Sequence, residues 1–298
     1  MDQYLKGFKQ KMVDVGDGVS INVTYSGSGP ALLMLHGHPE THLMWHKIAP
    51  RLAQEYTVVL PDLRGYGDSS HPKGLADHSN YSKRTMANDN VKVMKHLGFN
   101  EFYLIGHDRG ARVSHRLVLD HPDKVKKCIL LDIAPTYDMY MRTDMAFGID
   151  YYHWFFMVQP PELPERLLQG DPEYFFRGLL GGFGGDNDGG RIFSEELVRE
   201  YISKLSTSEG LHSICEDYRA SATIDLVYDK EDINRKTEVP LRVLCGETGC
   251  LHKHFDVLGL WKQRGTKVDG FVVPHCGHYI AEDAPEVTLK TILDFMRE

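Results

Sequence analysis

The segment from Gly106 to Gly110 carries the residue types best suited to chemistry. Its sequence, Gly-His-Asp-Arg-Gly, follows an apolar run at 102–105 and precedes a stretch typical of a helix. This is the spacing of the nucleophile elbow, G-x-S-x-G, in which a strained turn exposes a side chain above a sheet. Asp108 stands where serine is usual. A carboxylate can displace a leaving group from a saturated carbon, leaving an ester that water must then cleave.

Taken alone, the same five residues also fit an ordinary turn in which Asp108 caps a helix. The catalytic interpretation therefore needs partners elsewhere in the chain. Ester hydrolysis requires a base, and in α/β-hydrolases the histidine comes last in chain order. We predict that His278, after the last strand, is the base and that Asp132, after a strand at 128–131, holds its tautomer. Glu247, after the next strand, is the alternative acid.

Charged and backbone groups near the elbow predict what the site binds. The backbone amides of His38 and Arg109 are expected to stabilise the oxyanion that develops during ester hydrolysis. Arg109 and Arg112 lie three residues apart at the start of a predicted helix, so they share a face beside Asp108. Surface ion pairs are one interpretation of the two arginines. In a chain of net charge -8, a fork for a substrate carboxylate is the interpretation we favour.

Three histidines, His38, His42 and His46, have i, i+4 spacing. No carboxylate completes a recognised metal motif there, so we expect solvated histidines and no metal site. We also expect no organic cofactor, because side chains, backbone amides and water fill every proposed role.

Apolar runs alternate with helical stretches along most of the chain, which predicts an α/β fold with a mostly parallel sheet and helices on both faces. A hairpin is predicted at 12–25 and a closing helix at 285–297. Ligands bind at the carboxyl ends of strands in such sheets. His38, Asp108 and Asp132 each follow a predicted strand, so they should share one edge.

The alternation stops between 139 and 222, where aromatic residues crowd 151–156. We predict a helical cap at 139–222 over an α/β-hydrolase core formed by 1–138 and 223–298. The glycine run at 181–185 lacks the Gly-Lys-Ser/Thr ending of a phosphate-binding loop, which favours a flexible cap loop.

Composition excludes several classes of protein. The five cysteines are scattered without a C-x-x-C pair, so neither a disulfide framework nor a zinc knuckle is indicated. Acidic residues outnumber basic ones, so the composition gives no indication of binding to nucleic acid or to an anionic membrane. No apolar leader and no membrane-length apolar run is present, so a cytoplasmic location is expected.

Together these motifs resemble those of the fluoroacetate (haloacetate) dehalogenases of the α/β-hydrolase superfamily, across nearly the whole chain. The motifs that carry the resemblance are His36–Pro39, Arg64–Ser69, Gly106–Arg112, Leu131–Asp132, His153–Trp154 and Gly277–His278. The first two mark only the superfamily. The pairing of Asp108 and Arg109 with Arg112, together with His153–Trp154, is the specific part.

The resemblance implies hydrolytic dehalogenation of a small 2-haloacid, such as fluoroacetate or chloroacetate, to a 2-hydroxy acid. It implies that Asp108 displaces the halide while Arg109 and Arg112 hold the substrate carboxylate. It further implies a halide site formed by His153, Trp154 and Tyr218, and a chain able to form a homodimer. His38 departs from the phenylalanine common at that place in the family.

Two alternatives remain open at this stage. An epoxide hydrolase would use Asp108 and His278 in the same way, with cap tyrosines such as Tyr151, Tyr152 or Tyr218 donating to the epoxide oxygen. Such enzymes usually carry tryptophan where this chain has Arg109. A catalytically silent member of the fold that binds a small organic acid is the other alternative.

Overall fold

The computed structural model describes residues 3–182 and 192–298, built around an eight-stranded sheet. The strands are β1 (Lys9–Gly16), β2 (Val19–Ser26), β3 (Ala31–Leu35), β4 (Thr57–Pro61), β5 (Phe102–His107), β6 (Val125–Leu131), β7 (Leu241–Gly246) and β8 (Val268–Val273). Their order in the sheet is β1-β2-β4-β3-β5-β6-β7-β8. The β2 strand pairs antiparallel with β1 and β4, and every other pairing is parallel. The predicted fold class and the N-terminal hairpin are confirmed.

The central strands are apolar on both faces because helices cover the sheet from both sides. Every residue of β3 is buried, and so are the last four residues of β5 and of β6. At the edge of the sheet β8 has mostly exposed or half-buried residues. Buried strands of this kind hold their carboxyl ends rigidly, which is what a site at that edge requires.

Helices α1 to α3 and α12 to α15 belong to the sheet-forming parts of the chain. Their bounds are α1 (Ala49–Leu52), α2 (Lys83–His96), α3 (Asp108–Asp120), α12 (Cys250–His254), α13 (Val257–Lys262), α14 (Ile280–Asp283) and α15 (Pro285–Arg297). The α3 helix is buried along nearly its whole length. It therefore holds its first residue, Asp108, in a fixed position at the end of β5.

Eight helices lie between β6 and β7 in the described part of the chain. They are α4 (Thr136–Met141), α5 (Met145–Asp150), α6 (Tyr152–Met157), α7 (Leu163–Gly170), α8 (Pro172–Gly182), α9 (Glu195–Leu205), α10 (Ser208–Ala222) and α11 (Ile224–Glu231). Side chains from α6, α8 and α10 join Asp108 in lining one cavity. The division into core and cap at 139 and 222 stays a prediction. Most of the glycine run predicted as a cap loop, from 183 onward, lies outside the described residues.

Among the helices at 3–182 and 192–298, none combines the length and the apolar character needed to cross a bilayer.

Candidate active site

The elbow is a left-handed turn between β5 and α3. Asp108 has φ of +44°, a conformation that costs free energy for any residue with a Cβ atom. The flanking glycines make this turn possible because there is no room for side chains. A Cβ on Gly106 would lie 2.4 Å from Ser114 Oγ, and one on Gly110 would lie 2.4 Å from the carbonyl oxygen of Leu35. The spacing of the motif therefore has a steric cause.

The carboxylate of Asp108 is buried at this turn and accepts a hydrogen bond of 3.0 Å from the backbone N–H of His38. Burial alone would raise the pKa of Asp108, but the electrostatic influence of His278, then of Arg109, His107 and Arg112, outweighs it and holds the pKa below its ordinary value. Asp108 is thus ionised at neutral pH, as a nucleophile must be. The His38 amide contacts Asp108, and the oxyanion roles of the His38 and Arg109 amides stay predictions.

His278 lies against Asp132. The distance from His278 Nδ1 to Asp132 Oδ2 is 2.5 Å, and the other oxygen of Asp132 accepts from the backbone N–H of Gly246 at 2.9 Å. Asp132 itself has φ of +46° directly after β6. Glu247, the alternative acid, instead accepts from the backbone N–H of His275 at 2.8 Å. The geometry favours Asp132 as the partner of His278.

A second histidine–carboxylate pair, His107 and Glu40, lies next to His278 and was not predicted from the sequence. His107 Nδ1 lies 3.0 Å from Glu40 Oε2, and His107 Nε2 lies 3.0 Å from the carbonyl oxygen of His278. The Nδ1 contact is an ion pair and not a hydrogen bond, because neither Nδ1 nor Oε2 has a hydrogen-bond partner among the described residues, whereas Nε2 faces the carbonyl oxygen. Burial acts to lower the pKa of His107, but Glu40 outweighs it and raises that pKa to about 9. The ring of His107 lies 4.6 Å from the ring of His278, centre to centre, with the two planes tilted by 48°.

Arg109 is held by a buried aspartate from the inserted helices. Its Nε donates to Asp217 Oδ2 at 2.7 Å, and a terminal nitrogen donates to Ser221 Oγ at 2.6 Å. Tyr66 and Lys83 donate to the same aspartate. The remaining terminal nitrogen of Arg109, Nη1, has no hydrogen-bond partner in the described ranges. Nothing in the spacing of residues signalled this pairing, because Arg109 and Asp217 lie 108 residues apart.

Arg112 is equally buried but bonds only neutral groups. Its Nη1 donates to Thr136 Oγ1 at 2.8 Å and its Nη2 to Met139 Sδ at 3.3 Å. It makes no ion pair with a carboxylate within residues 3–182 and 192–298, where its Nε also has no hydrogen-bond partner. Burial, reinforced by the nearby charge of Arg109, lowers the pKa of Arg112. A buried cation without a carboxylate partner is costly, so Arg112 is suited to binding an anion.

One cavity brings most of the predicted site residues together. It is lined by His38, Pro39, Asp108, Tyr151, His153, Trp154, Leu179, Tyr218, His278 and Tyr279. Neither arginine is among its lining residues. The guanidinium carbon of Arg109 lies 4.1 Å from the centre of the Tyr218 ring, and that of Arg112 lies 4.6 Å from the Trp154 ring. Each guanidinium therefore packs against an aromatic ring that lines the cavity.

The expectation of solvated histidines near residue 40 is wrong for two of the three. His38 and His42 are buried, and His42 Nδ1 lies 2.7 Å from Asp62 Oδ1. His38 is enclosed by the rings of Tyr66, Phe176 and Tyr218. No group of three or more His, Cys, Asp or Glu residues in the described segments is arranged to hold a metal ion. Of the tyrosines considered for an epoxide, Tyr152 is exposed.

The chain is similar to known α/β hydrolases over most of its length. A family model for the alpha/beta hydrolase fold matches residues 30–168. The chain is 43% identical to a fluoroacetate dehalogenase from Burkholderia sp, across 98% of this chain and 95% of that protein. It is 30% identical to a soluble epoxide hydrolase from Corynebacterium sp. (strain C12), across 94% of each.

Among solved structures, an α/β hydrolase from Nostoc sp PCC 7120 is 51% identical, with a TM-score of 0.93 and coverage of 97% of this chain and 98% of that one. The resemblance drawn from the motifs is thereby confirmed. The chain belongs to the haloacetate dehalogenase family of the α/β-hydrolase superfamily.

Proposed function

We propose that the chain hydrolyses small 2-haloacids, such as fluoroacetate or chloroacetate, to 2-hydroxy acids. The observation that carries the proposal is Arg112, a buried guanidinium that bonds only neutral groups and lies close enough to influence Asp108. A neutral substrate would leave Arg112 without a carboxylate as a hydrogen-bond partner. A carboxylate would supply the anion and would meet the unused N–H groups of Arg112 and Arg109.

In the first step, an oxygen of Asp108 attacks the α-carbon of the haloacid. The carbon–halogen bond breaks and the halide leaves with its electron pair, so Asp108 becomes an ester of the acid. The lowered pKa of Asp108 keeps it ionised for this attack. His153, Trp154 and Tyr218 line the cavity and carry N–H or O–H groups that can stabilise the departing halide.

The second step hydrolyses this ester. His278 takes a proton from water, whose oxygen attacks the carboxyl carbon of Asp108. The carbonyl oxygen of that ester becomes an oxyanion, which we expect the His38 amide, 3.0 Å from Asp108 Oδ1 in the resting site, to stabilise. Collapse breaks the bond between the Asp108 carboxyl carbon and the substrate oxygen, which takes the proton back from His278 and leaves as the hydroxyl group of the 2-hydroxy acid. The Asp108 carboxyl group then loses its own proton to solvent and is restored as a carboxylate. The Asp132 carboxylate, 2.5 Å from His278 Nδ1, stabilises the imidazolium that forms.

Halide release from fluoroacetate and chloroacetate tests the proposal. Wild-type protein is compared with Asp108→Asn and with Asp68→Asn, an exposed aspartate in a surface ion pair with Lys204. We expect release by the wild type and by Asp68→Asn, and loss of release in Asp108→Asn. No release from either acid by the wild type would refute the proposal.

Two further outcomes identify the alternatives. Turnover of an epoxide panel without halide release would favour an epoxide hydrolase, for which Tyr151 and Tyr218 both reach the cavity. Binding of haloacids without turnover, at an affinity unchanged in Asp108→Asn, would favour a silent acid-binding protein. Arg112 favours an acid over an epoxide, because an epoxide brings no negative charge.

A further inference from the structure

The imidazole of His38 is an unused polar group in the wall of the cavity. Its side chain is buried, and neither ring nitrogen has a hydrogen-bond partner among the described residues. The neighbouring His36 differs, since its Nδ1 lies 2.8 Å from the carbonyl oxygen of Gly37 and its Nε2 accepts from the N–H of Leu63 at 3.0 Å. Buried polar atoms are nearly always paired, so His38 indicates a ligand group that pairs with it.

The position of His38 puts this ring beside the reacting carbon. Its backbone N–H already contacts Asp108 Oδ1 at 3.0 Å, so the residue adjoins the nucleophile. The ring packs edge-on against Tyr218 at 5.6 Å and against Phe176 at 5.9 Å between ring centres. Tyr218 in turn lies over Arg109. The ring therefore adjoins both Asp108 and the aromatic ring that packs on Arg109, which is where the proposed reaction puts the α-carbon.

The ring is neutral at physiological pH. Burial lowers the pKa of His38 to about 3, and the charge of Arg109 acts in the same direction, whereas Asp108 and Asp217 oppose it. A neutral imidazole offers one N–H donor and one lone pair. A hydroxyl group offers the complementary acceptor and donor. Haloacetate offers neither to His38, because its carboxylate goes to the arginines and its halogen to the halide donors.

We infer that His38 selects 2-haloacids whose α-carbon carries a short hydroxylated substituent, such as a hydroxymethyl group. The inference rests on the proposed dehalogenation and concerns which acid the site prefers. A pocket built to hydrogen-bond a substrate hydroxyl discriminates strongly against the analogue that lacks it, because its own polar atoms are then left unpaired. An apolar wall would instead prefer the methyl analogue.

The test compares 2-chloro-3-hydroxypropanoate with 2-chlorobutanoate, two acids that differ by a hydroxyl in place of a methyl group. For the wild type we expect kcat/KM to favour the hydroxy acid by at least about tenfold. His38→Phe should invert this preference, and His38→Gln, which keeps one donor and one acceptor, should retain part of it. His115→Phe is the matched control, because His115 is also buried with an unpaired ring nitrogen but packs on Trp261 away from the cavity.

If the wild type has nearly equal kcat/KM for the two acids, or a higher kcat/KM for 2-chlorobutanoate, the inference is overturned by the wild-type data alone. A ratio unchanged in both His38 variants also overturns it. Failure of the proposed function is distinguishable, because wild-type protein would then release no chloride from chloroacetate either. If the protein turns over chloroacetate but shows nearly equal kcat/KM for the two longer acids, only the role given to His38 is refuted.

Discussion

The two buried arginines should respond to substitution in opposite ways. Arg109 is paired with Asp217, whereas Arg112 bonds only a hydroxyl and a thioether. Replacing Arg112 by methionine removes a buried cation that has no carboxylate partner, at the cost of two modest hydrogen bonds. We expect the free energy of unfolding to stay unchanged or to rise by about 1 kcal/mol. Arg109→Met leaves Asp217 buried with a lost partner, so we expect a loss of about 3 kcal/mol.

Activity should fall in both variants. A hydrogen bond to a charged group contributes about 1.5–3 kcal/mol, so losing one arginine contact to the substrate carboxylate should lower kcat/KM roughly 10- to 150-fold. Arg112→Met would then be a variant with reduced activity and undiminished stability. Reduced activity without reduced stability is typical of a residue that serves ligand binding and not folding.

Urea unfolding and thermal unfolding measure the stabilities, each with and without acetate as an unreactive anion. Acetate at 100 times its Kd should stabilise the wild type by about 2.7 kcal/mol and should have little effect on Arg112→Met at the same concentration. The reasoning would be refuted if Arg112→Met unfolded as readily as Arg109→Met while its kcat/KM and its response to acetate stayed normal.

Three further predictions concern the remaining groups of the site. Asp132→Asn should lower kcat about 10³- to 10⁴-fold but keep a stoichiometric burst of halide, whereas Glu247→Gln should keep the wild-type kcat. A wild-type kcat in Asp132→Asn would exclude Asp132 as the acid partner of His278. The charged form of His107 should add roughly 3 kcal/mol to the free energy of unfolding below pH 6.5, and this contribution should be lost as pH rises through about 9. In Glu40→Gln, urea unfolding should not show this loss of stability with pH. Tyr218→Phe keeps the ring over Arg109 but removes the hydroxyl group that can donate to the leaving halide. The kcat for fluoroacetate should therefore fall more than the kcat for chloroacetate. An equal fall for both acids would contradict a role of Tyr218 at the leaving halide.

Local patterns in the sequence predicted the sheet and the order of the catalytic groups because those features depend on short segments. The apolar run before Gly106, the glycines around Asp108 and the histidine after the last strand each have a local physical cause. The pairing of His278 with Asp132 rather than Glu247 was partly foreseeable, since both acids follow strands. The choice depends on how the loop after β7 folds, where Glu247 binds the backbone of His275.

Contacts between distant segments were not predictable from the sequence. Asp217 belongs to α10 yet binds Arg109 on α3, and Glu40 faces His107 across the end of the sheet. Each pairing depends on how the inserted helices or the loop after β3 pack, for which no spacing rule exists. The same reason explains why His38 was expected in solvent but is buried in the cavity wall.

The central claim is that Asp108 forms an ester with the substrate, and trapping that ester tests it most directly. Removing the base in His278→Gln should let the first step proceed and block the second. Mass spectrometry after incubation with chloroacetate should then find one carboxymethyl group on the peptide that contains Asp108, and none in the double variant with Asp108→Asn. Chloride release without that label, or a label on another residue, would contradict the account.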